Sequence, residues 1–159
     1  MNNDLADHGA IEGLGLPPID QVGFVVRDLN QAIALYDPMF GPFATLDGSV
    51  ESADFRGEEK DVELKLAFGR SGDLEIELIE WVSGYSPHAE FIQSGREGLH
   101  HLRFRVADCD ADVSRLEDIG FARIWYKAMG SDIKFAYLER EGDPLVLELL
   151  QMPHSYDMA

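Results

Sequence analysis

The sequence predicts an α+β protein in which two βαβββ modules pair into an open, cupped, mixed β-sheet. The prediction rests on an internal repeat and on the spacing of apolar residues within each half. The region after Pro18 aligns with the region after Gly98, so that Gln21 corresponds to His101. A repeat of this length indicates a structural unit that occurs twice in the fold.

The ends of the two modules also match. The segment LEIELI at 74–79 corresponds to LVLELL at 145–150, which pairs Glu77 with Glu148. The same order of similarities at the beginning and the end of both halves is hard to obtain by chance. We therefore interpret the chain as a duplication.

Each element of the first module has its own signal. Val22, Phe24 and Val26 alternate with the other face of a strand. The segment DLNQAIALYDPMFG then has apolar residues at helical spacing, with Asp28 as the N-cap and with Pro38 and Gly41 at the end. Strand-like runs follow at 43–55, 62–69 and 74–81.

The second module repeats this plan. The sequence predicts a strand at 99–107, a helix at 109–119 and strands at 122–128, 134–139 and 145–150. The expected domain organisation is a flexible N-terminal tail over 1–17, a single domain over 18–151 and a C-terminal tail over 152–159. Within the domain, modules 18–82 and 99–151 are joined by a linker at 83–98, with a short helix at 87–94.

The composition excludes several classes of function. A chain of 159 residues that is 45% hydrophobic is long enough to bury a core. Its formal charge of −17 disfavours nucleic acids and anionic lipids as partners. No run reaches the roughly 18 apolar residues of a membrane helix, and we expect a cytoplasmic protein. A single cysteine, Cys109, excludes a cysteine-rich zinc site.

Carboxylates occupy unusual positions on the last strand of each module. Strand alternation puts Glu148 on the same face as Val146 and Leu150, and Glu77 on the same face as Ile79. A carboxylate among aliphatic neighbours is costly when it is buried without a partner. A bound cation would be such a partner.

The repeat places four potential ligands at equivalent positions. If the modules pair about a pseudo-twofold axis, Gln21 and His101 lie on equivalent first strands, and Glu77 and Glu148 lie on equivalent last strands. An amide oxygen, an imidazole nitrogen and two carboxylates suit a divalent ion such as Zn, Ni, Co, Mn or Mg. The two carboxylates neutralise the charge of the ion.

The other histidines receive different interpretations. His100 shares a face with Leu102 and Phe104, which predicts a packed or hydrogen-bonded side chain rather than a ligand. His88 lies in the linker, and the sequence assigns no role to it.

Several motifs together resemble the vicinal oxygen chelate superfamily, which includes glyoxalases, methylmalonyl-CoA epimerases, extradiol dioxygenases and bleomycin-resistance proteins. The motifs are VRDLNQAIALY, GLHHLRFRVAD and the paired endings IELIE and LELLQ. The resemblance covers roughly residues 18–151 and implies that fold. It also implies metal ligands at Gln21, Glu77, His101 and Glu148. The epimerases usually carry histidine in place of Gln21, whereas glyoxalase I of the animal type has glutamine there.

The resemblance implies proton transfer beside a metal-bound carbonyl. Ring-cleaving dioxygenases need two histidines and one glutamate around iron, which this ligand set does not supply. In an epimerase-like mechanism, Glu63 and Glu148 would lie on opposite sides of the substrate and exchange its proton. The expected activity is that of a methylmalonyl-CoA epimerase, which is an isomerase. One alternative is a glyoxalase I-like lactoylglutathione lyase. The other alternative is a non-catalytic ligand-binding or resistance protein. The expected partners are a small molecule, such as an acyl-CoA or a thiol adduct, and a second copy in a homodimer.

Overall fold

The computed structural model describes residues 13–153, which form nine strands and three helices. The first half contains β1 (Ile19–Val25), α1 (Leu29–Phe40), β2 (Ala44–Asp47), β3 (Val50–Phe55), β4 (Glu58–Ser71) and β5 (Leu74–Gly84). The short helix α2 (Pro87–Gln93) follows. The second half contains β6 (Gly98–Arg105), α3 (Cys109–Glu117), β7 (Phe121–Met129), β8 (Ile133–Arg140) and β9 (Asp143–Gln151). The predicted α+β fold with a mixed, curved sheet is confirmed.

The first half differs from the prediction at one strand. The run predicted at 43–55 is two strands, β2 and β3, because the chain turns at Gly48. A Cβ on this glycine would lie 2.4 Å from the Leu66 side chain. The amide of Ser49 donates to the Asp47 carboxylate at 2.9 Å and closes the turn. Both strands then pair with β4.

The sheet has the order β2-β4-β3-β7-β8-β9-β6-β1-β5, and β4 also pairs with β5. This last pairing joins β5, at one end of the order, to β4, the second strand from the other end, so the sheet curves around an interior. The two modules meet along β1 and β6, which are antiparallel, and also where β3 pairs with β7 at Asp54–Tyr126 and Phe55–Trp125. Strands β1 and β6 each pair in parallel with the last strand of their own module.

Apolar side chains fill both sides of the curved sheet. On the outside, α1 covers a cluster that includes Val26, Ala32 and Leu78. Helix α3 covers a second cluster with Val113 and Leu149. The interior cluster is rich in aromatic residues: Val25, Ala53, Phe55, Val62, Leu64, Ile79, Phe91, Ile124, Trp125, Phe135 and Tyr137.

Helix α2 contributes side chains to the interior. Ser86 caps its N-terminus by accepting a hydrogen bond from the Ala89 amide at 3.3 Å. This start buries His88 and Phe91 against the interior cluster. The guanidinium of Arg56 bridges Glu90 of α2 and Glu139 of β8, at 2.7 and 2.8 Å. The linker helix is therefore a structural part of the domain.

The predicted tails lie only partly within the described residues, since 1–12 and 154–159 are outside them. Residues 13–17 form no regular element, but Leu14 and Leu16 pack against the cluster beneath α3. This part of the predicted tail therefore packs against the domain. Between residues 13 and 153, none of the helices has the length and apolar character needed to span a membrane.

Candidate metal centre

The four predicted ligands come from four neighbouring strands. Glu148 is on β9, His101 on β6, Gln21 on β1 and Glu77 on β5, and these strands are adjacent in that order. The register brings the residues to two neighbouring levels, because Gly23 lies opposite both Glu77 and His101, and Arg103 lies opposite both Gln21 and Glu148. The predicted pairing of equivalent strands from the two modules therefore holds.

The side chains converge on one nitrogen. The Nε2 atom of His101 lies 3.1 Å from Oε2 of Glu148, 3.2 Å from Oε1 of Gln21 and 3.4 Å from Oε2 of Glu77. All four side chains are buried, with His101 fully enclosed and neither glutamate more than 8% exposed as a residue. The structure thus brings together each of the four residues that the sequence singled out as ligands.

These separations match those between adjacent ligands of a divalent ion. Metal–ligand bonds to nitrogen and oxygen are about 2.0–2.2 Å long. Adjacent ligand atoms then lie about 3 Å apart on an octahedron and about 3.5 Å apart on a tetrahedron. The His101–Glu77–Glu148 group also forms a compact set of potential metal-binding atoms.

Glu77 carries the clearest sign that the centre suits a cation. Its Oε2 atom is buried and has no hydrogen-bond partner, although His101 is 3.4 Å away. Burial raises the pKa of this carboxyl, while His101 opposes the change. A buried carboxylate oxygen without a donor is costly, and a divalent ion coordinated by it would remove that cost. The residues present therefore fit a metal ion.

The same carboxylates determine the protonation of the His101 imidazole. Burial alone lowers its pKa, but the negative charges of Glu148 and Glu77 beside the ring outweigh this effect and raise the pKa to about 9. At neutral pH the ring therefore holds a proton between the carboxylates when no other cation is present. A divalent ion that binds here takes the place of this proton.

The amide of Gln21 is oriented by a neighbouring carboxylate. Its Nε2 donates to Oε1 of Glu75 at 2.7 Å, which directs Oε1 of Gln21 toward His101. Arg103 holds Asp20 through two hydrogen bonds, of 2.9 and 3.0 Å, and lies 3.5 Å from Glu75. This arrangement presents the amide oxygen, which is the ligating atom, to the centre.

Gly23 makes room for the histidine ring. A Cβ at this position would lie 2.0 Å from Cε1 of His101 and 2.5 Å from both ring nitrogens. The backbone of β1 thus forms the floor on which the imidazole lies. Any side chain at this position would displace the ring.

A second group of buried polar residues lies behind the centre. His100 Nδ1 is 3.1 Å from Nδ1 of His101. His88 lies between Ser86 and Tyr137, with its Nδ1 3.3 Å from the serine Oγ and its Nε2 3.1 Å from the tyrosine hydroxyl. Burial lowers the pKa of both His88 and His100 well below the usual value, and it raises the pKa of Tyr137.

The sequence predicted the positions of these buried polar residues only in part. His100 was predicted to be packed or hydrogen-bonded, and both features are confirmed. His88 was assigned no role, yet it is almost completely buried against Tyr137 and Trp125. The Ser-Pro pair before His88 predicts where the short helix begins. It does not predict which face of that helix is buried.

Glu63 is not brought to this centre. Its side chain is exposed, whereas its neighbours Val62 and Leu64 point into the interior. Phe68 lies opposite Glu77, so even-numbered positions of this stretch face inward, and Glu63 faces outward. The predicted place of Glu63 across from Glu148 therefore has no support in the geometry.

Comparison with known proteins gives one family. A model described as "Glyoxalase/Bleomycin resistance protein/Dioxygenase superfamily" matches residues 20–137. A protein of Bacillus subtilis (strain 168), named uncharacterized protein YqjC, is 27% identical over 100 residues, or 63% of this chain. The match spans 65% of the length of that relative.

Solved structures share the fold at low identity. Hypothetical protein BH1468 from Bacillus halodurans C-125 is 21% identical with a TM-score of 0.64, over 89% of this chain and 98% of that one. Methylmalonyl-CoA epimerase from Mycobacterium tuberculosis is 20% identical with a TM-score of 0.59, over 91% and 93%. A Streptomyces coelicolor methylmalonyl-CoA epimerase in complex with 2-nitronate-propionyl-CoA is 21% identical with a TM-score of 0.57, over 86% and 98%.

Substitution of Gly23 tests the geometry of the centre. Gly23→Ala places a methyl group against the His101 ring, which is fully buried and has no room to retreat. We expect the affinity for Zn²⁺ or Co²⁺ to fall at least tenfold in calorimetric titrations. The ion-free protein should lose about 1–3 kcal/mol of unfolding free energy in denaturant titrations.

Gly13→Ala is the matched control for this substitution. A Cβ at Gly13 would meet no atom within 4 Å, so both quantities should stay at their wild-type values. Wild-type ion affinity in Gly23→Ala would show that the His101 ring does not bind the ion from this position.

Proposed function

The chain belongs to the glyoxalase/bleomycin resistance protein/dioxygenase superfamily, and on this premise we propose that it is a divalent-metal-dependent isomerase. In this proposal, it removes and returns a proton on a carbon next to a carbonyl group, as a methylmalonyl-CoA epimerase does. The observation that carries the proposal is the convergence of three buried oxygens on Nε2 of His101, with Oε2 of Glu77 left without a hydrogen-bond donor.

The four converging residues have the role of holding the ion. Gln21, Glu77, His101 and Glu148 supply two neutral and two anionic donors, which match a dication in charge. When bound, a divalent ion supplies a Lewis acid that polarises a carbonyl oxygen and makes the adjacent C–H more acidic. The apolar interior around these residues excludes water and strengthens each of their electrostatic interactions.

Glu148 is the proposed base, because its surroundings differ from those of its counterpart Glu77. Tyr137 lies opposite Glu148 on β8 and interacts with its carboxylate, whereas Phe68 lies opposite Glu77 on β4. Burial raises the pKa of the Tyr137 hydroxyl, which therefore keeps its proton. The hydroxyl is a donor that can hold the Glu148 carboxylate in place while this carboxylate accepts and returns a substrate proton.

A glyoxalase I-like lyase is the second candidate, and the opposite wall of the interior favours it. The inward positions of β3 and β4 are apolar, as at Ala53, Phe55, Val62 and Leu64. Epimerisation with two bases needs a proton donor on each side of the substrate. A lyase that moves a proton between adjacent carbons needs only one carboxylate, which Glu148 supplies.

An acyl-CoA thioester is the proposed substrate. Its support is the shared fold with methylmalonyl-CoA epimerases, one of which was solved with 2-nitronate-propionyl-CoA. The lyase alternative would take a thiol adduct instead. A homodimer is also proposed, because Leu35 and Met39 of α1 are more than 60% exposed and form an apolar surface.

Deuterium exchange tests the proposed activity. The protein is loaded separately with Zn²⁺, Ni²⁺, Co²⁺, Mn²⁺ or Mg²⁺ and incubated with methylmalonyl-CoA in D₂O, and deuterium at the α-carbon is measured by mass spectrometry. We expect exchange with at least one ion. Glu148→Gln should lower the rate at least 100-fold at saturating ion, in line with the usual contribution of a general base.

The control for this substitution is Glu117→Gln, which removes an exposed carboxylate from α3 and should leave the rate within twofold of wild type. Loss of methylglyoxal and glutathione without thioester exchange would identify the lyase instead. A protein that binds no stoichiometric ion and catalyses neither reaction would contradict both enzymatic proposals and favour a ligand-binding protein.

Glu63 supplies an independent test of which carboxylates act. Because its side chain faces outward and is exposed, Glu63→Gln should retain both ion affinity and exchange within twofold of wild type. A loss of exchange at unchanged ion affinity would show instead that Glu63 reaches the substrate.

A further inference from the structure

We propose that His100 positions the metal ligand His101, by accepting a hydrogen bond from its Nδ1–H and so keeping its Nε2 free to bind the ion. This inference rests on the proposed metal site and adds a residue to the four proposed ligands. His100 does not coordinate the ion in this account; it acts through the ring of its neighbour.

The distance between the two rings restricts where the protons lie. The Nδ1 atoms of His100 and His101 are 3.1 Å apart, and the rings are nearly perpendicular at 84°. Two N–H groups cannot face each other at this distance, so one nitrogen donates and the other accepts. An ion on Nε2 of His101 requires a lone pair there, and the neutral ring then has its proton on Nδ1. His100 must therefore be the acceptor.

The surroundings of His100 favour this role. A second hydrogen-bonding group for its ring is the backbone of Pro87, the first residue of α2. Proline has no N–H, so the partner is the carbonyl oxygen, and it accepts a proton from His100. Since Nδ1 of His100 faces His101, Nε2 is the nitrogen that donates to Pro87. A neutral imidazole carries only one N–H, which is then on Nε2 of His100. Its Nδ1 therefore has no proton and accepts the hydrogen bond from His101.

Packing holds the ring in this orientation. His100 is 4% exposed, and the Phe91 ring contacts it edge-on with centroids 5.0 Å apart. The His88 ring lies on another side at 5.1 Å. Both neighbours belong to α2, so the linker helix determines the position of His100. The same helix thereby acts on the ligand His101.

A neutral acceptor suits this centre. Ligand histidines usually donate their second N–H to a carboxylate, a carbonyl or water. Here Glu77 and Glu148 already balance the charge of a dication, and a third buried carboxylate would leave the centre with excess negative charge. His100 orients the ring without adding charge.

Nuclear magnetic resonance of the imidazole nitrogens tests the inference directly. Long-range ¹H–¹⁵N spectra of the full chain, with and without Zn²⁺, report which ring nitrogen carries a proton, and His100→Phe assigns the His100 signals. In the Zn²⁺-loaded protein we expect a proton on Nδ1 of His101 and a proton on Nε2 of His100. A proton on Nδ1 of His100 in that state overturns the inference.

Ion affinity supplies the second readout. His100→Phe keeps a ring but removes the acceptor, and Zn²⁺ affinity should fall about 10–100-fold, as for the loss of other outer partners of metal ligands. His100→Asn places an amide oxygen near the original Nδ1 and should recover most of the affinity. Tyr126→Phe is the control, because it removes a hydrogen bond to Asp110 on the outer side of the sheet, and affinity should stay within threefold.

The outcomes separate this inference from the proposed function. Wild-type affinity in His100→Phe, or no recovery in a folded His100→Asn, overturns the positioning role. Two Zn²⁺ ions per chain also overturn it, because His100 would then be a ligand itself. Normal Zn²⁺ binding with the expected protonation pattern, but no exchange on any thioester or hemithioacetal, supports the positioning role while the proposed function fails.

Discussion

The structure depends on the burial of two carboxylates beside a single imidazole. Glu77 and Glu148 lie in an interior otherwise rich in apolar and aromatic side chains, and both approach Nε2 of His101. Charges in such surroundings require a partner of opposite charge. A proton on His101 satisfies Glu148 better than Glu77, whose Oε2 has no donor. A dication among the four side chains would satisfy all of them. The order of the central strands, the glycine at position 23 and the orientation of the Gln21 amide bring these side chains together.

The duplication explains the centre, and the departures from the duplication explain its chemistry. Equivalent strands supply Glu77 and Glu148, yet their cross-strand neighbours are Phe68 and Tyr137. Only the second carboxylate therefore has a hydroxyl beside it. The buried His88 adds to this difference, since its helix α2 follows the first module and has no counterpart after the second among the described residues. Two equivalent glutamates thus lie in different environments, one opposite an aromatic ring and the other opposite a tyrosine hydroxyl.

The sequence predicted the four converging residues because their positions depend on short-range rules. Strand alternation and the internal repeat are sufficient to place Gln21, Glu77, His101 and Glu148 on equivalent strands. Glu63 was misplaced because alternation shows which residues share a face but not which face is the interior. That choice depends on the register between β4 and β5, where Phe68 lies opposite Glu77. His88 was missed for a related reason, since the direction of α2 depends on tertiary packing that no local pattern encodes.

Anomalous diffraction from crystals grown with Co²⁺ tests the central claim most directly. The account predicts one ion per chain in the interior, within about 2.0–2.3 Å of Oε1 of Gln21, Nε2 of His101 and one carboxylate oxygen each of Glu77 and Glu148. Anomalous density only at surface sites, with Glu77 still without a partner at saturating Co²⁺, would contradict it.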